Sequence, residues 1–392
     1  MKGLAIAAIV WLSALSVVIA QSRSPFPGML DQHPAIDYRG GALTDVVTNL
    51  QRELTAGSGS LAFDGTQGYL RALLARLDVP VESQILLFSK TGIQHPFTTP
   101  ENPRALYFND RVVVGYIPGA PLIEMASHDP AQGVIFQTLK QDGGKPEFTR
   151  SDRCMSCHVS VNSLSVPGIL VRSMSTAPDG RPMPQDGSFV IDQRSRLDQR
   201  WAGWYVSGAA ASVQHMGRTL GSSLDLSAYP LPTSDIAALL VFDHQGHAIN
   251  LLTRLGWETR AAAADGRVDF TKGDLADILK EAVDYFLFVG ETAIDSPVMP
   301  GSAFAQTFAS AGPRDRRGRS LRDLDLHTRL FKYRCSYMIY SPAFDALPAE
   351  ARAAFLARLK ASITDADTIA ILDETKAGWS AFAKAPARQA QQ

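Results

Sequence analysis

Two of the chain's three cysteines stand three residues apart in Arg153-Cys154-Met155-Ser156-Cys157-His158, with a histidine directly after the second. No other stretch constrains the fold as much. Whatever surrounds it must turn two thiols and an imidazole towards one object. A structural zinc site takes four ligands, normally as two spaced pairs, and the sequence has no second pair. A thioredoxin-like dithiol needs a βαβ setting, which "FTRSDRCMSCHVSVNSLSVPG" does not offer. C-x-x-C-H fits thioether attachment of haem. The spacing sets both sulfurs along one edge of the porphyrin and the next residue under the iron. Cys154 and Cys157 are therefore the expected tethers of one haem c, and His158 its proximal ligand. Arg153 and Arg150, flanking the motif, are candidate propionate partners. Cys335, in "FKYRCSYMIY", is left alone; it reads as a buried small apolar residue, with a redox or ligand role as the alternative.

The compartment agrees with that chemistry. "MKGLAIAAIVWLSALSVVIA" has a short positive start, an uncharged apolar run and a small-residue cleavage pattern, so residues 1–20 read as a secretory signal peptide. An uncleaved N-terminal anchor is the competing reading, because the run is nearly long enough to span a bilayer. No cysteine lies near the cut, which excludes a lipoprotein. No later stretch is apolar for long enough to cross a membrane, so the mature protein is expected in a periplasm. Across 392 residues, the net charge of -1 gives no sign of nucleic-acid binding, and a 45% hydrophobic content can bury a core.

Along the chain, residues 21–40 are rich in Pro and Gly and read as an extended arm. Helical periodicity marks 42–54 and 68–79. Strand-like runs follow at 83–89, 105–110 and 111–119, with Asn109-Asp110 as a tight hairpin. Further β-like segments lead into the motif. From Thr233 the chain turns helical. Helices are expected at 235–264, capped by Thr233 or Ser234, and at 272–291, 320–341 and 348–363. Residues 385–392 read as a disordered tail. The expected class is α+β: a β-rich part (41–232) carrying the haem motif, packed against a mainly helical part (233–384).

The sixth position on the iron separates electron transfer from catalysis. His215-Met216 offers both usual ligands on one loop. His244 and His247 share a helical face, and His244 should point inward, as a distal ligand, a distal acid/base group or a satisfied buried histidine. Met183 and Met299, each before a proline, are weaker ligand candidates. Among the histidines without supporting context, His33, His95, His128 and His327, the third is the least implausible. Trp201, Trp204 and Tyr205 can wall a pocket or simply fill core. Arg314, Arg316, Arg317, Arg319 and Arg322 can hold propionates or form an ion-paired surface loop with Asp315, Asp323 and Asp325.

The segments "FTRSDRCMSCHVS", "VPGILVRSM", "RWAGWYVSG", "HMGR", "GPRDRRGRSLRDLDL" and "LFKYRCSYMIYSPAFDALP" together resemble a family of exported, single-haem, cytochrome-c-domain-containing bacterial proteins. The resemblance covers nearly all of the mature chain. It implies covalent haem c on Cys154, Cys157 and His158, and it assigns no reaction. The chain lacks the second haem motif of dihaem peroxidases. The leading expectation is an exported monohaem cytochrome that exchanges electrons with a redox partner protein. The alternatives are a haem enzyme acting on a small molecule such as peroxide or a nitrogen oxide, with His244 handling protons, and a haem-based sensor.

Overall fold

A computed structural model describes residues 27–209 and 214–381. The expected signal peptide, the start of the arm and the expected tail lie outside them. The first half holds a six-stranded antiparallel sheet whose strands lie side by side in chain order: β1 (Ile85–Leu87), β2 (Arg104–Phe108), β3 (Val112–Tyr116), β4 (Leu122–Asp129), β5 (Gly133–Lys140) and β6 (Phe148–Arg150). The Asn109-Asp110 turn joins β2 to β3 as expected; Asn109 Oδ1 accepts from Arg111 N at 2.9 Å and Val112 N at 3.0 Å.

Strand alternation gives this sheet two unlike faces. Leu86, Ala105, Tyr107, Val114 and Met125 point to one face. They pack against α1 (Val46–Thr55) and α2 (Leu70–Arg76). Asp45 caps α1, accepting from Val47 N at 3.0 Å and Thr48 N at 3.1 Å. Leu106, Phe108, Val113 and Phe136 point to the other face. They share one core with the helical half. The motif forms α3 (Met155–His158), a single turn just after the sheet, followed by the small hairpin of β7 (Arg172–Met174) and β8 (Ser188–Val190).

The helical half is built on α4 (Ile236–Ala264), which is buried along most of its length. A helix apolar on nearly every side needs neighbours all round. Here they are the sheet, α5 (Gly273–Phe286), α6 (Phe304–Ser310), α7 (Pro342–Asp345) and α8 (Ala349–Ser362), with α9 (Ala366–Thr375) beyond. The α+β class is therefore as expected. The core cluster runs from Ile85 to Trp379, so residue 233 marks a change of secondary structure inside one shared core.

Three local expectations need correction. Asp235, not Thr233 or Ser234, caps α4, accepting from Ala237 N at 2.7 Å. Ser234 instead accepts from Leu86 N at 2.8 Å and donates to Tyr205 O at 2.6 Å, tying helix start to sheet. The expected helix at 320–341 is a run of turns ending in a 3-10 segment, Tyr337–Tyr340. Its acidic side chains take the backbone donors a helix needs. Asp323 accepts from Ser320 N, and Asp325 from His327 N and Thr328 N. Such local bonds compete with helix formation, and Leu326 has φ +60°. Finally, α5 stops at Phe286, short of the expected 291, because Phe288 turns left-handed at φ +58°.

Candidate functional site

The motif is positioned by the segment C-terminal to it. Asn250 on α4 grips Ile169 from both sides: its Oδ1 accepts from Ile169 N at 2.8 Å and its Nδ2 donates to Ile169 O at 2.7 Å. Two glycines make this approach feasible. A Cβ on Gly168 would lie 2.3 Å from Asn250 Oδ1, and one on Gly246 of α4 would lie 2.9 Å from the Ile169 side chain. The anchored segment presents the Gly168 carbonyl 2.9 Å from His158 Nδ1. Ser163 Oγ and Gly168 N both bind the His158 carbonyl at 3.0 Å, closing the loop. The proton of the imidazole is thereby placed on Nδ1, and Nε2 keeps its lone pair. Burial pushes the His158 pKa down, which favours the neutral ring. Phe136 packs on that ring at 4.8 Å.

Cys154, Cys157 and His158 line one cavity of about 200 Å³. Its walls are the inner sheet face (Leu106, Val113, Phe136), Ile169 after the motif, Trp204, and Phe242 of α4. Cys157 is exposed at the mouth and Cys154 is half-buried; both are free thiols. The charged wall is uneven. Arg104, Arg153 and Arg172 face a single carboxylate, Glu124. Arg104 forms an ion pair with Glu124, which Gln94 Nε2 also contacts at 3.1 Å. Yet the Nε atoms of Arg104 and Arg172 are buried with no hydrogen-bond partner. A buried orphan donor is costly unless a missing acceptor serves it. Glycine at 115, inside β3, and at 92, in the loop after β1, makes room for Arg104; a Cβ at either would lie 3.0 Å or less from its guanidinium. Glycine inside a strand often marks such a close approach.

This donor set fits a haem c. Two thiols and an imidazole with a free nitrogen share one wall, an apolar body of space lies beside them, and surplus guanidinium groups match two propionates. No cluster of three or more His, Cys, Asp or Glu able to hold a metal ion occurs among the described residues.

Other sequence candidates lie apart. His244 is fully buried with both nitrogens engaged: Nδ1 by Gln193 Oε1, and Nε2 by Ser336 Oγ at 2.7 Å. Tyr285 stacks on it at 5.3 Å. Among the described residues lining the motif cavity, neither His244 nor His215 nor Met216 occurs. His215 packs on Trp201 at 5.4 Å, and Met216 is 38% exposed. Arg150 donates to Tyr38 O at 2.7 Å. Trp201 Nε1 donates to buried Asp243 at 3.0 Å, whereas Trp204 reaches the cavity and donates to Arg172 O at 2.8 Å. Arg314 and Arg316 are ion-paired at the surface with Asp323 and Glu374, and Arg319 is paired with the buried Asp315. Cys335 is fully buried, with its thiol pKa pushed up by desolvation.

Sequence reasoning missed Arg104, Glu124, Arg172 and Met174, all of which line the cavity. Only Gly115 inside the run "RVVVGYIPG" hinted that a group crosses the sheet there. No protein-family model, no curated protein and no solved structure matches the chain.

Proposed function

We propose that this protein is an exported monohaem c-type cytochrome that passes electrons in a periplasmic redox pathway. The observation that carries the proposal is His158, held through Nδ1 by the Gly168 carbonyl, with Nε2 free in a cavity that both motif thiols also line. Cys154 and Cys157 would form the thioether tethers. His158 would supply the proximal nitrogen, and Arg172, Arg104 and Arg153 would receive the propionates. A bound haem supplies one-electron chemistry at its iron. The chain's own part is to hold the ring, to keep water from its inner face with Phe136, Ile169 and Phe242, and to set its potential through burial and the guanidinium charges. The six-stranded sheet and α4 give this site a rigid frame. Among the described residues, no helix is long and apolar enough to cross a membrane.

One observation supports the second reading, a haem enzyme acting on peroxide or a nitrogen oxide. The Arg104–Glu124 pair faces the same cavity and could move protons there. A denaturing haem stain, then ferric and ferrous spectra with and without carbon monoxide, tests both readings. Covalent haem that stays low-spin and ignores carbon monoxide is the expected result. High-spin, carbon monoxide-binding haem would favour the enzyme or a sensor, and absence of covalent haem would sink all three.

A further inference from the structure

A second cavity, of about 430 Å³, lies between the β2–β3 hairpin tip, α6 and Arg322. This is within the range of small-molecule sites. Phe108, Phe304 and Phe308 form its apolar wall, with ring centroids 5.8 Å apart for Phe108–Phe304 and 5.5 Å for Phe304–Phe308. One side is polar and firmly built. Arg322 forms an ion pair with Asp110, a residue far away in sequence. Its guanidinium lies over the Phe308 ring at 4.7 Å and the Tyr337 ring at 4.4 Å. Tyr337 donates to Gln245 Oε1 at 2.7 Å, and Gln245 donates to the Asn109 carbonyl at 2.7 Å, so the hairpin tip is fastened to α4.

The charges in this cavity compensate in pairs: Arg111 with Asp78 at 3.1 Å, and Arg322 with Asp110. A net-charged ligand therefore finds no surplus to attract it, and a carboxylate would meet two aspartates. Arg322 engages Asp110 Oδ2, which leaves Oδ1 as an acceptor for a ligand hydroxyl. The Thr307 side chain adds a small polar group on the wall. We propose that this cavity binds a neutral, hydroxylated aromatic molecule of the phenol or hydroquinone class. Its ring packs on the three phenylalanines and its hydroxyl donates to Asp110. Phe108 also touches Phe242, a wall of the motif cavity, at a centroid distance of 5.0 Å. A bound ring would thus be linked to the proposed haem through two side chains in contact, Phe108 and Phe242. That last point rests on the proposed function; the binding does not.

The test is calorimetric titration of the purified full chain with phenol, hydroquinone and benzoate, whatever its haem content. Saturable one-to-one binding of phenol and hydroquinone is expected, with benzoate at least tenfold weaker. Asp110→Asn should weaken binding at least tenfold. Thr307→Trp, which fills the cavity from half-exposed α6, should abolish binding with the circular dichroism unchanged. No saturable binding of either phenol, benzoate binding as tightly as phenol, or unchanged binding by Thr307→Trp would overturn the proposal. Binding by a chain that carries no haem would support it while refuting the cytochrome reading.

Discussion

The motif region and the middle of α4 each hold a largely neutral histidine, and the two differ in how their ring nitrogens are engaged. His158 has one nitrogen engaged and the other facing a cavity lined by two thiols. His244 has both nitrogens engaged and is ringed by Tyr285, Phe288, Phe331 and Tyr337. Burial lowers the pKa of both, that of His244 to about 3. Burial alone therefore does not distinguish a ligand from a structural histidine. What sets the proposed ligand apart is an unspent lone pair beside open space. The same contrast separates the arginines: Arg319 is saturated by Asp315 and Asp367, whereas Arg172 keeps an orphan donor at the cavity.

The largest expected effect is on cofactor attachment. A Cys154→Ala/Cys157→Ala double variant should lose covalent haem to background on a denaturing haem stain, while His244→Ala keeps it. Retention by the double variant would break the comparison at its root. Next comes stability. His244→Ala removes a packed ring and strands Gln193 and Ser336, at a cost of about 3 kcal/mol. His158→Ala, at a partly exposed position with a single side-chain hydrogen bond, should cost about 1 kcal/mol. Denaturant unfolding of both variants, made without haem attachment, checks the ranking; equal losses would contradict it.

Acid sensitivity comes third. His244, His128 and His247 have folded pKa values lowered by burial to about 3, 4 and 4. Below the unfolded value of about 6.5 the unfolded chain binds more protons than the native one, so stability is full above that pH and falls as pH drops towards 4. Each histidine contributes a slope of roughly 1.4 kcal/mol per pH unit within its window. His244→Gln should flatten the dependence of Tm on pH; an unchanged slope would mean that this ring titrates normally. A smaller effect belongs to Arg172→Gln. Removing a cation near the iron should lower the midpoint potential by about 40 mV, on the order of 1 kcal/mol for one electron. An unchanged potential would place Arg172 outside the haem's field. The smallest effect should come from Met216→Ala, which should change stability by less than about 0.5 kcal/mol and leave the ferric spectrum unchanged. A switch to high-spin iron would restore Met216 as the sixth ligand.

Much of the architecture could be read from local pattern. The Asn109-Asp110 hairpin, the span of α4 and Pro348 at the head of α8 each depend on residues within a few positions. The failed helix at 320–341 had apolar spacing, but Asp323 and Asp325 spent their oxygens on nearby backbone donors, a choice that periodicity does not record. The helices at Phe304–Ser310 and Ala366–Thr375 are short and weakly patterned, so packing against larger neighbours decides them.

The sequence by itself determined that two thiols and an imidazole lie within one turn of chain, because a C-x-x-C-H spacing is local geometry. It also determined the α+β class, because periods of 2 and 3.6 are local too. Only the tertiary structure decided which groups share the cavity with them. Arg104 and Glu124 come from β2 and β4, and they meet because antiparallel pairing sets register across the sheet and alternation sends both side chains to one face. Arg172 joins them from β7, in a separate hairpin that only packing brings to the same cavity. The free nitrogen of His158 was likewise decided from afar, by an asparagine on α4 that fixes a carbonyl ten residues after the histidine.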